Sequence, residues 1–211
     1  VQLHTHTFYS LLDGGHSPEI LAKRAKELGQ KALAITDHGT TSGLIDFYET
    51  CQKVGIKPIL GEEFYFTYDI DEDVTNYPEK GWDKKNYHLI ALAKNQEGYR
   101  NLLRLSTIAS SQGKYGKASR VDLKYLEMYH EGLIVSSACL AGIIQSRILD
   151  WRLAKEDKLA YINKKLGKKN AIKPEDLVIK KRMKKETKAK IEGNIAYVES
   201  VNPDTPLKEA Y

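Results

Sequence analysis

The fold is decided by the segment KALAITDHGTTSGLIDFYETCQKVGIKPILGEEFYF, residues 31–66. Its apolar run at residues 32–35 has the length and composition of a short buried strand. Residues 43–54 repeat apolar side chains at helical spacing and are followed by Gly55, a residue typical of helix C-termini. A second run rich in strand formers, residues 57–68, supplies another strand or a pair of strands. This strand–helix–strand order predicts a unit of a parallel sheet or barrel.

The same alternation of short apolar runs and amphipathic stretches extends in both directions. Upstream, residues 2–6 are predicted to form a strand, and Ser17 with Pro18 marks the start of a helix that ends at Gly29. Downstream, residues 69–85 carry charge, Pro and Gly without a period and are predicted to be a surface loop. The elements predicted beyond that loop are a strand at 87–93, a helix from 96 to about 110, a helix at 122–129 and a strand at 133–136. The whole pattern favours an α/β fold.

Length and charge divide the chain into two parts. With 211 residues, 41% of them hydrophobic, the chain can bury one sizeable core. We expect residues 1–150 to form the barrel portion and residues 151–211 to form a Lys-rich, mostly helical tail. Between Lys164 and Lys190 there are 12 basic and 3 acidic residues, a net +9, which leaves −4 for the rest of a chain whose formal charge is +5. The first part therefore offers no broad cationic face to nucleic acid.

The composition also bears on the compartment. No apolar run approaches the roughly 20 residues needed to cross a bilayer, so no membrane association is expected. The chain opens on VQLHTHTFYS, without the pattern of a secretory signal, and we expect a cytoplasmic protein. The missing initiator Met suggests a portion of something longer. Two cysteines, Cys51 and Cys139, are too few for a disulfide framework.

Side chains suited to metal binding collect where the predicted strands end. His4 and His6 stand two positions apart on the first strand, so both point to one side with their Cα atoms roughly 6.6 Å apart. In a parallel barrel, the carboxyl ends of successive strands meet on one rim. His88 departs from this scheme, because it opens its predicted strand. The candidates are His4, His6, Asp37, His38, Glu62, Glu63, His88 and Cys139.

Each candidate also has a simpler interpretation. A lone His-x-His pair is common in strands as surface or hydrogen-bonded histidines. His38 could begin a helix, and the two adjacent glutamates could be a solvated charge pair. Cys139 could be a small buried hydrophobe, and Asp13, before Gly-Gly, suits a turn. Three residues without partners in the pattern are left outside the site: His16, His130 and Cys51.

The joint pattern is far less expected by chance than any one of its members. Imidazole, carboxylate and thiolate donors together favour borderline transition ions, Zn²⁺ first, with Mn²⁺ or Fe as substitutes. Two or three such ions close together would polarise a phosphoryl oxygen and generate a hydroxide nucleophile at neutral pH. The pattern therefore predicts phosphoester hydrolysis.

Five ordered segments carry a family resemblance. They are LHTHTFYSLLDGG, ALAITDHGTTSGLIDFY, KPILGEEFYF, YHLIALAKNQEGYRNLLRLST and YHEGLIVSSACLAG. They resemble the successive motifs of the polymerase-and-histidinol-phosphatase (PHP) domain, in the version found at the N-terminus of bacterial C-family replicative polymerases, the DNA polymerase III alpha subunits. The similarity covers residues 1–149. It implies a distorted (β/α)7 PHP barrel, which this chain need not complete, with up to three metals on one rim.

The resemblance also implies a set of metal ligands. The first metal takes the His-x-His pair, and Glu63 bridges it to a second metal held by His88 and Cys139. Asp13 and His38 belong to a third, which makes Asp13 a ligand as well as a turn residue. The implied ligands are His4, His6, Asp13, His38, Glu63, His88 and Cys139. Residues assigned to supporting the ligands or contacting phosphate are Asp37, Glu62 and Arg120.

The chain departs from the family pattern after Cys139. Members that hold all three metals carry a late Asp-x-His pair, whose Asp completes the first site and whose His completes the third. No Asp-x-His follows Cys139 in this sequence. We therefore expect one or two metals here and nuclease activity that is weak or absent. The barrel could be completed by sequence beyond Tyr211, by another chain, or not at all.

Three functions are compatible with these features. The leading hypothesis is the PHP module of a DNA polymerase III alpha subunit, acting as a metal-dependent 3′–5′ exonuclease or as a metal-stabilised platform in DNA replication. Its partners would be DNA, the rest of the polymerase chain and other replisome subunits, and the polymerase active site would lie elsewhere. The second is a stand-alone PHP phosphatase acting on a small phosphomonoester. The third is a non-enzymatic interaction module whose tail contacts DNA through Lys180, Lys181, Lys184 and Lys185.

Overall fold

A mixed sheet of six strands forms the centre of this computed structural model, which describes residues 1–76 and 86–156. The strands are β1 (Ala32–His38), β2 (Lys57–Phe66), β3 (Tyr87–Ala93), β4 (Lys114–Tyr115), β5 (Ala118–Val121) and β6 (Leu133–Ser136). The helices are α1 (Pro18–Glu27), α2 (Leu44–Val54), α3 (Gln96–Ser111), α4 (Leu123–Met128) and α5 (Ile143–Glu156). The prediction of an α/β fold is confirmed. Closure into a seven-stranded barrel stays a prediction for the chain as a whole.

Strand β2 organises the sheet because it pairs along both edges. On one edge it runs parallel to β1, from Ala32 opposite Lys57 to His38 opposite Glu63. Beyond the end of β1, the same edge pairs in parallel with β5. On the other edge β2 pairs with β3, which in turn pairs with β6. The C-terminal end of β2 is therefore surrounded by three other strands.

The expectation of parallel strands is wrong for β3, which runs antiparallel to β2 with His88 opposite Tyr65. An antiparallel neighbour begins where its partner ends, so the first residues of β3 lie beside the last residues of β2. Since β6 is antiparallel to β3, it again ends at the rim where β2 ends. This direction explains why His88, at the start of its strand, reaches the same rim as residues at the ends of β1 and β2.

The N-terminal segment follows β1 without forming a regular strand along its whole length. Gln2 makes an isolated parallel bridge with Leu33. The backbone N–H of Ala34 donates to the Gln2 carbonyl at 3.0 Å, and that of Thr36 donates to the Thr5 carbonyl at 2.8 Å. The prediction of a strand at residues 2–6 therefore places the segment correctly and overstates its regularity.

The local signals for helices are confirmed by their caps. The Ser17 hydroxyl accepts from the backbone N–H of Ile20 at 3.3 Å at the start of α1. Helix α2 ends at Gly55, whose φ of 79° is left-handed and costs glycine little. Helix α3 and strands β3 and β6 occupy the predicted positions, to within a residue. Residues 77–85 of the predicted surface loop lie outside the described residues.

The hairpin of β4 and β5 was not predicted. Its sequence GKYGKASRV, residues 113–121, is short and polar and lacks the alternation of apolar residues that marks a strand. It exists because β5 pairs with the end of β2, opposite Tyr65 and Phe66. A tertiary contact therefore decides its conformation.

The core lies between the sheet and the helices packed on one of its faces. Phe47 from α2, Leu102 and Leu105 from α3, and Phe64 from β2 are all buried in a single apolar cluster. Successive residues of a strand point to opposite faces. Since Phe64 enters this core, its neighbour Glu63 projects from the other face.

The chain divides into two compact units, Val1–Ile143 and Ile144–Tyr211. The first contains the whole six-stranded sheet. Of the second, the structure describes only the part of α5 up to Glu156, so the predicted boundary at residue 150 and the Lys-rich tail stay predictions. Among the described residues, no helix has the length and hydropathy needed to span a membrane.

Candidate metal centre

Four imidazoles surround one buried carboxylate at the end of β2. The side chain of Glu63 is 1% exposed, and one of its oxygens contacts Nε2 of His4 and lies 3.5 Å from Nε2 of His6. Its other oxygen lies 3.2 Å from Nδ1 of His38 and contacts Nδ1 of His88. A single glutamate thus joins histidines from the N-terminal segment, β1 and β3.

The sheet register explains why these residues meet. His38 is the last residue of β1 and stands directly opposite Glu63. His88 stands opposite Tyr65, one same-face position further along β2. The N-terminal segment beside β1 brings in the remaining two rings, and the Nε2 atoms of His4 and His6 are 3.0 Å apart. The prediction that both members of the His-x-His pair point to one side is confirmed.

Asp13 is both a turn residue and a member of the cluster. Its backbone N–H donates to the Ser10 carbonyl at 3.0 Å, which closes a turn. Its carboxylate Oδ2 lies 2.7 Å from Nε2 of His38 and 3.9 Å from Nε2 of His6. The turn interpretation and the ligand interpretation are therefore compatible.

Asp37 supports the cluster from behind rather than joining it. Its buried carboxylate accepts from the Thr7 backbone N–H at 2.7 Å, the Thr7 hydroxyl at 2.8 Å and the Ser10 hydroxyl at 2.7 Å. The Ser10 hydroxyl in turn accepts from the backbone N–H of His38 at 3.1 Å. These bonds fasten the N-terminal segment to the end of β1. Thr7 and Ser10 were not predicted from the sequence, because hydroxyl residues in a loop carry no distinctive pattern.

Cys139 lies at the edge of the cluster, after β6. Its Sγ is 3.5 Å from Nδ1 of His88. Cys51, in contrast, is fully buried inside α2, where burial raises the pKa of its thiol to about 11. The two cysteines thus differ in their surroundings, and the assignment of Cys139 as a ligand stays a prediction.

Backbone strain coincides with two of the candidate ligands. Within the described ranges, the non-glycine residues with positive φ are Leu12, at 69°, and Ala138, at 56°. They directly precede Asp13 and Cys139. Left-handed backbone is costly for residues with a Cβ and tends to be kept where a site requires it.

The neighbouring Glu62 has the opposite environment to Glu63. It is fully buried on the core side, where burial raises the pKa of its carboxyl to about 8, with the charge of Asp37 adding to the effect and the Ser106 hydroxyl opposing it. It therefore does not project into the cluster. Arg120 is also buried, and its Nε donates to the Gly113 carbonyl at 2.9 Å within the β4–β5 hairpin. Neither residue contacts the candidate ligands directly.

The electrostatics of the cluster favour an ionised carboxylate at Glu63. Burial alone would raise the pKa of Glu63, but hydrogen bonding to His38 and His88 lowers it well below its ordinary value. Burial and the nearby His38 lower the pKa of His6, whereas hydrogen bonding to Glu63 raises that of His38. A cluster of this kind offers lone pairs to a cation at neutral pH.

The remaining sequence candidates fall outside the cluster. His16 is exposed, and Nδ1 of His130 lies 2.7 Å from the Glu127 carbonyl. Neither histidine belongs to a group of candidate metal ligands in the described part of the chain. The tail lysines at positions 180, 181, 184 and 185 lie outside the described residues. Tyr65, whose ring lies 6.3 Å from that of His38 and 5.3 Å from that of His88, was not predicted as part of the site.

The donor atoms fit a divalent metal. Within the described ranges, three groups have their ligand atoms within 4.8 Å of one another: His4, His6 and Glu63; His6, Asp13 and His38; and His38, Glu63 and His88. Two imidazole nitrogens that face each other at 3.0 Å need either a shared proton or a shared cation. Imidazole and carboxylate donors in overlapping groups suit adjacent ions that share ligands.

The fold belongs to a known class of protein domain. The chain matches the PHP domain over residues 2–179, and it belongs to the PHP domain family.

Its relatives narrow the assignment further. The chain is 49% identical over 140 residues to a DNA polymerase III subunit alpha of Helicobacter pylori, an alignment covering 66% of this chain and 11% of the relative. Identity to the Aquifex aeolicus subunit is 46% over 145 residues, covering 68% of this chain and 12% of the relative. Identity to the Borreliella burgdorferi subunit is 38% over 188 residues, covering 84% of this chain and 16% of the relative. The chain is thus homologous to a part of these subunits and spans 11–16% of their length.

Two solved structures are more distantly similar. One is described as a metal-dependent phosphoesterase from Bifidobacterium adolescentis, with 24% identity, a TM-score of 0.33, and coverage of 56% of this chain and 44% of the other. The second is an amidohydrolase from Chromobacterium violaceum, with 23% identity, a TM-score of 0.35, and coverage of 56% and 39%.

Proposed function

We propose that this chain is the PHP module of a replicative DNA polymerase and acts as a metal-dependent phosphoesterase, with 3′–5′ exonuclease activity on DNA. The observation that carries the proposal is the carboxylate of Glu63, buried and shared among four histidines from three parts of the chain. A structural core has no need for such a cluster, since burying a charge costs free energy unless it is compensated. The polymerase III alpha relatives support the replicative context and DNA as substrate.

The geometry supports the ligand set implied by the family resemblance. His4, His6 and Glu63 would hold one metal, with Glu63 shared with a second. His88 and Cys139 would complete the second, since their donor atoms lie 3.5 Å apart. Asp13 and His38 would hold a third, across a distance of 2.7 Å. Zn²⁺ is the proposed ion, with Mn²⁺ or Fe as substitutes, because the donors combine nitrogen, carboxylate oxygen and one sulfur.

Some residues of the chain would position the metal ligands, and others would position the substrate. Bound metal would supply an activated water and polarise the phosphoryl group. Asp37, through Thr7 and Ser10, fixes the N-terminal segment so that His4 and His6 face Glu63. Glu63 stays ionised and would bind the metals together with the histidines around it. The Tyr65 ring, which lies beside the rings of His38 and His88, would form an apolar wall against which the substrate rests.

A metal-stabilised structural role is the second candidate. The observation that favours it is that residues 140–211 contain no Asp-x-His pair, so these residues do not supply the late ligands of the first and third sets. One or two metals would then hold the fold, and the module would serve as a platform for the rest of the polymerase chain and other replisome subunits. A cytoplasmic location follows from either role.

One experiment separates these functions from each other and from a small-molecule phosphatase. The purified chain is analysed for metal and assayed on single-stranded DNA, on primer-template DNA and on p-nitrophenyl phosphate. Chelator-sensitive release of mononucleotides from the 3′ end supports the exonuclease. Bound metal without hydrolysis of any substrate supports the platform, and hydrolysis of p-nitrophenyl phosphate alone supports the phosphatase. A folded chain without metal or activity would contradict all three.

A further inference from the structure

The β4–β5 hairpin is a cationic feature next to the metal centre. Residues 113–121 contain Lys114, Lys117 and Arg120 and no acidic residue. Both lysines are exposed, and Lys117 follows the turn residue Gly116, whose φ is 59°. Positive charge is not general in this part of the chain, because the sequence outside residues 164–190 carries a net −4. The hairpin therefore concentrates charge of one sign in a region that otherwise lacks it.

The sheet register places this hairpin on the same side as the ligands. Arg120 pairs with Tyr65, and Tyr65 pairs with His88, so the three residues form a row across β5, β2 and β3. Residues directly opposite one another on neighbouring strands project from the same face. Strands lie about 4.8 Å apart, so the Cα atom of Arg120 is roughly 10 Å from that of His88.

A second contact confirms that the hairpin adjoins the centre. Gly39 directly follows the candidate ligand His38 at the end of β1. A Cβ atom built on Gly39 would lie 3.6 Å from Cβ of Ser119 in β5 and 3.6 Å from the ring of Tyr65. Strand β5 thus begins where β1 ends, and the hairpin extends the rim outward from the histidines.

Arg120 adds a buried positive charge to the same hairpin. Its side chain is 4% exposed, with Nε bonded to the Gly113 carbonyl and the guanidinium 5.1 Å from the centre of the Tyr115 ring. One terminal nitrogen is buried without a hydrogen-bond acceptor, and no salt bridge joins Arg120 to a carboxylate of the described residues. A guanidinium stays ionised under all ordinary conditions, and its field is weakly screened when it is buried. An anion outside the hairpin would compensate it.

We infer that the β4–β5 hairpin is a backbone subsite for single-stranded nucleic acid, in which Lys114 and Lys117 contact phosphates within the field of Arg120. The inference rests on the proposed function and specifies its substrate class. A small phosphomonoester fills only the metal centre, whereas a polynucleotide has further phosphates along the rim. The hairpin therefore favours a strand of at least two or three nucleotides, bound without regard to base sequence.

The test is a binding measurement that does not require catalysis. Fluorescence anisotropy follows a labelled oligothymidylate in the presence of chelator, as salt is raised from 50 to 200 mM, for the 211-residue chain and its variants. The variant K114A/K117A removes two exposed charges without touching the core. Its matched control is K31A/K57A. This variant removes two exposed lysines beside the N-terminal ends of β1 and β2, the ends away from the candidate metal centre. Each measurement is repeated on the same protein combined with K180A/K181A/K184A/K185A, so that DNA binding by the tail does not mask binding by the hairpin.

The expected result is a loss specific to the hairpin. Two lost phosphate contacts flatten the slope of log affinity against log salt by about 1.4, at roughly 0.7 per contact on single strands. The gain in affinity on lowering salt from 200 to 50 mM then shrinks about sevenfold, while the control keeps the wild-type slope. R120Q, which removes the charge, should weaken binding. R120K, which keeps the charge, should bind as the wild type does. If R120Q does not fold, the lysine variants decide the matter.

Equal slopes for K114A/K117A and K31A/K57A would overturn the inference and leave the hairpin as a surface for a protein partner. Failure of the proposed function has a different signature. In that case the metal-loaded chain hydrolyses neither DNA nor p-nitrophenyl phosphate, while the binding slopes still report on the hairpin. A hairpin effect on DNA hydrolysis, with p-nitrophenyl phosphate hydrolysis unchanged, would support both.

Discussion

At the scale of single residues, Glu63 is the point on which the centre depends. It is 1% exposed, yet its pKa is lowered because donors from His38 and His88 outweigh the effect of burial. Its two oxygens together contact four imidazoles that come from sequence positions up to 84 residues apart. Removing any one imidazole leaves the others in place, so single substitutions can test the separate metal sites.

H88A and C139A should each remove one metal equivalent and lower the Tm by several degrees. Each variant takes one donor from the proposed second site, and affinity falls when the number of ligands falls. Metal is measured by elemental analysis and Tm by calorimetry. The matched controls are H130A, an exposed histidine outside the cluster, and C51A, which should lower stability without changing the metal content. Unchanged metal in both H88A and C139A would refute the second site.

The buried carboxyl of Glu62 should make the stability of the metal-free protein depend on pH. Its folded pKa is raised from 4.5 to about 8 by burial, so the unfolded state releases its proton at a lower pH than the folded state does. Stability of the wild type should fall by about 1.4 kcal/mol per pH unit between those values and level off above the upper one. E62Q cannot ionise and should lack this component.

The measurement is chemical denaturation with chelator at pH 5, 6, 7 and 8. The advantage of E62Q over the wild type should widen with rising pH. E49Q, at an exposed position on α2, is the control and should track the wild type. An advantage that stays constant or narrows as pH rises would contradict the buried, protonated Glu62.

Much of the centre could be predicted from the residues alone. The His-x-His pair was predicted from its two-residue spacing on a strand, His38 from its place directly after an apolar strand, and Glu63 from its place after Gly61 in the third segment. Asp13 was predicted to be a ligand only through the family resemblance, since Asp before Gly-Gly is an ordinary turn signal. Thr7 and Ser10 were missed, because their roles exist only once Asp37 is buried beside them.

At the scale of elements, the loop from Thr7 to Gly14 decides where Asp13 stands. A Cβ on Gly14 would lie 1.8 Å from the Thr7 carbonyl oxygen, whereas one on Gly15 would meet nothing within 4 Å. Gly14 also donates its N–H to the Ser10 carbonyl. The close approach of two backbone segments therefore requires glycine at the first glycine position of LLDGG but not at the second.

G14A should destabilise the fold by about 2 kcal/mol and displace Asp13, because the added methyl group meets backbone that cannot move aside. G15A is the matched control and should change stability by less than about 0.5 kcal/mol. Thermal unfolding gives the stability, and chelator competition gives the metal affinity. The account of the loop fails if the two variants behave alike.

The elements themselves were predictable where local signals agree with the tertiary structure. Helices α1 and α2 carry their own caps at Ser17 and Gly55, so their bounds follow from the sequence. The direction of β3 did not follow, because periodicity is the same for parallel and antiparallel strands. The β4–β5 hairpin was missed because its pairing with the end of β2 has no counterpart in its own composition.

At the scale of the whole molecule, the number of metals should reflect which ligand sets are complete. The second set keeps its expected ligands Glu63, His88 and Cys139, the first lacks one, and the third keeps only Asp13 and His38. We expect one or two metals per chain and weak nuclease activity, because hydroxide activation and phosphate binding need adjacent ions in fixed positions. A longer chain that includes a later Asp-x-His pair should gain both a metal and activity. Three metals and efficient DNA degradation by the 211-residue chain would show that the tail supplies the missing ligands.

The central claim is that the fold holds metal around Glu63, and E63Q tests it most directly. The wild type and E63Q are purified in parallel in metal-free buffer, reloaded with Zn²⁺, dialysed and analysed for metal, with circular dichroism as the check on folding. The amide keeps the size of the side chain and removes the charge that two of the proposed sites share. We predict one or two equivalents in the wild type and a loss of at least one in E63Q at unchanged secondary structure. Equal metal content in the two proteins, or a folded wild type that retains none, would contradict the claim.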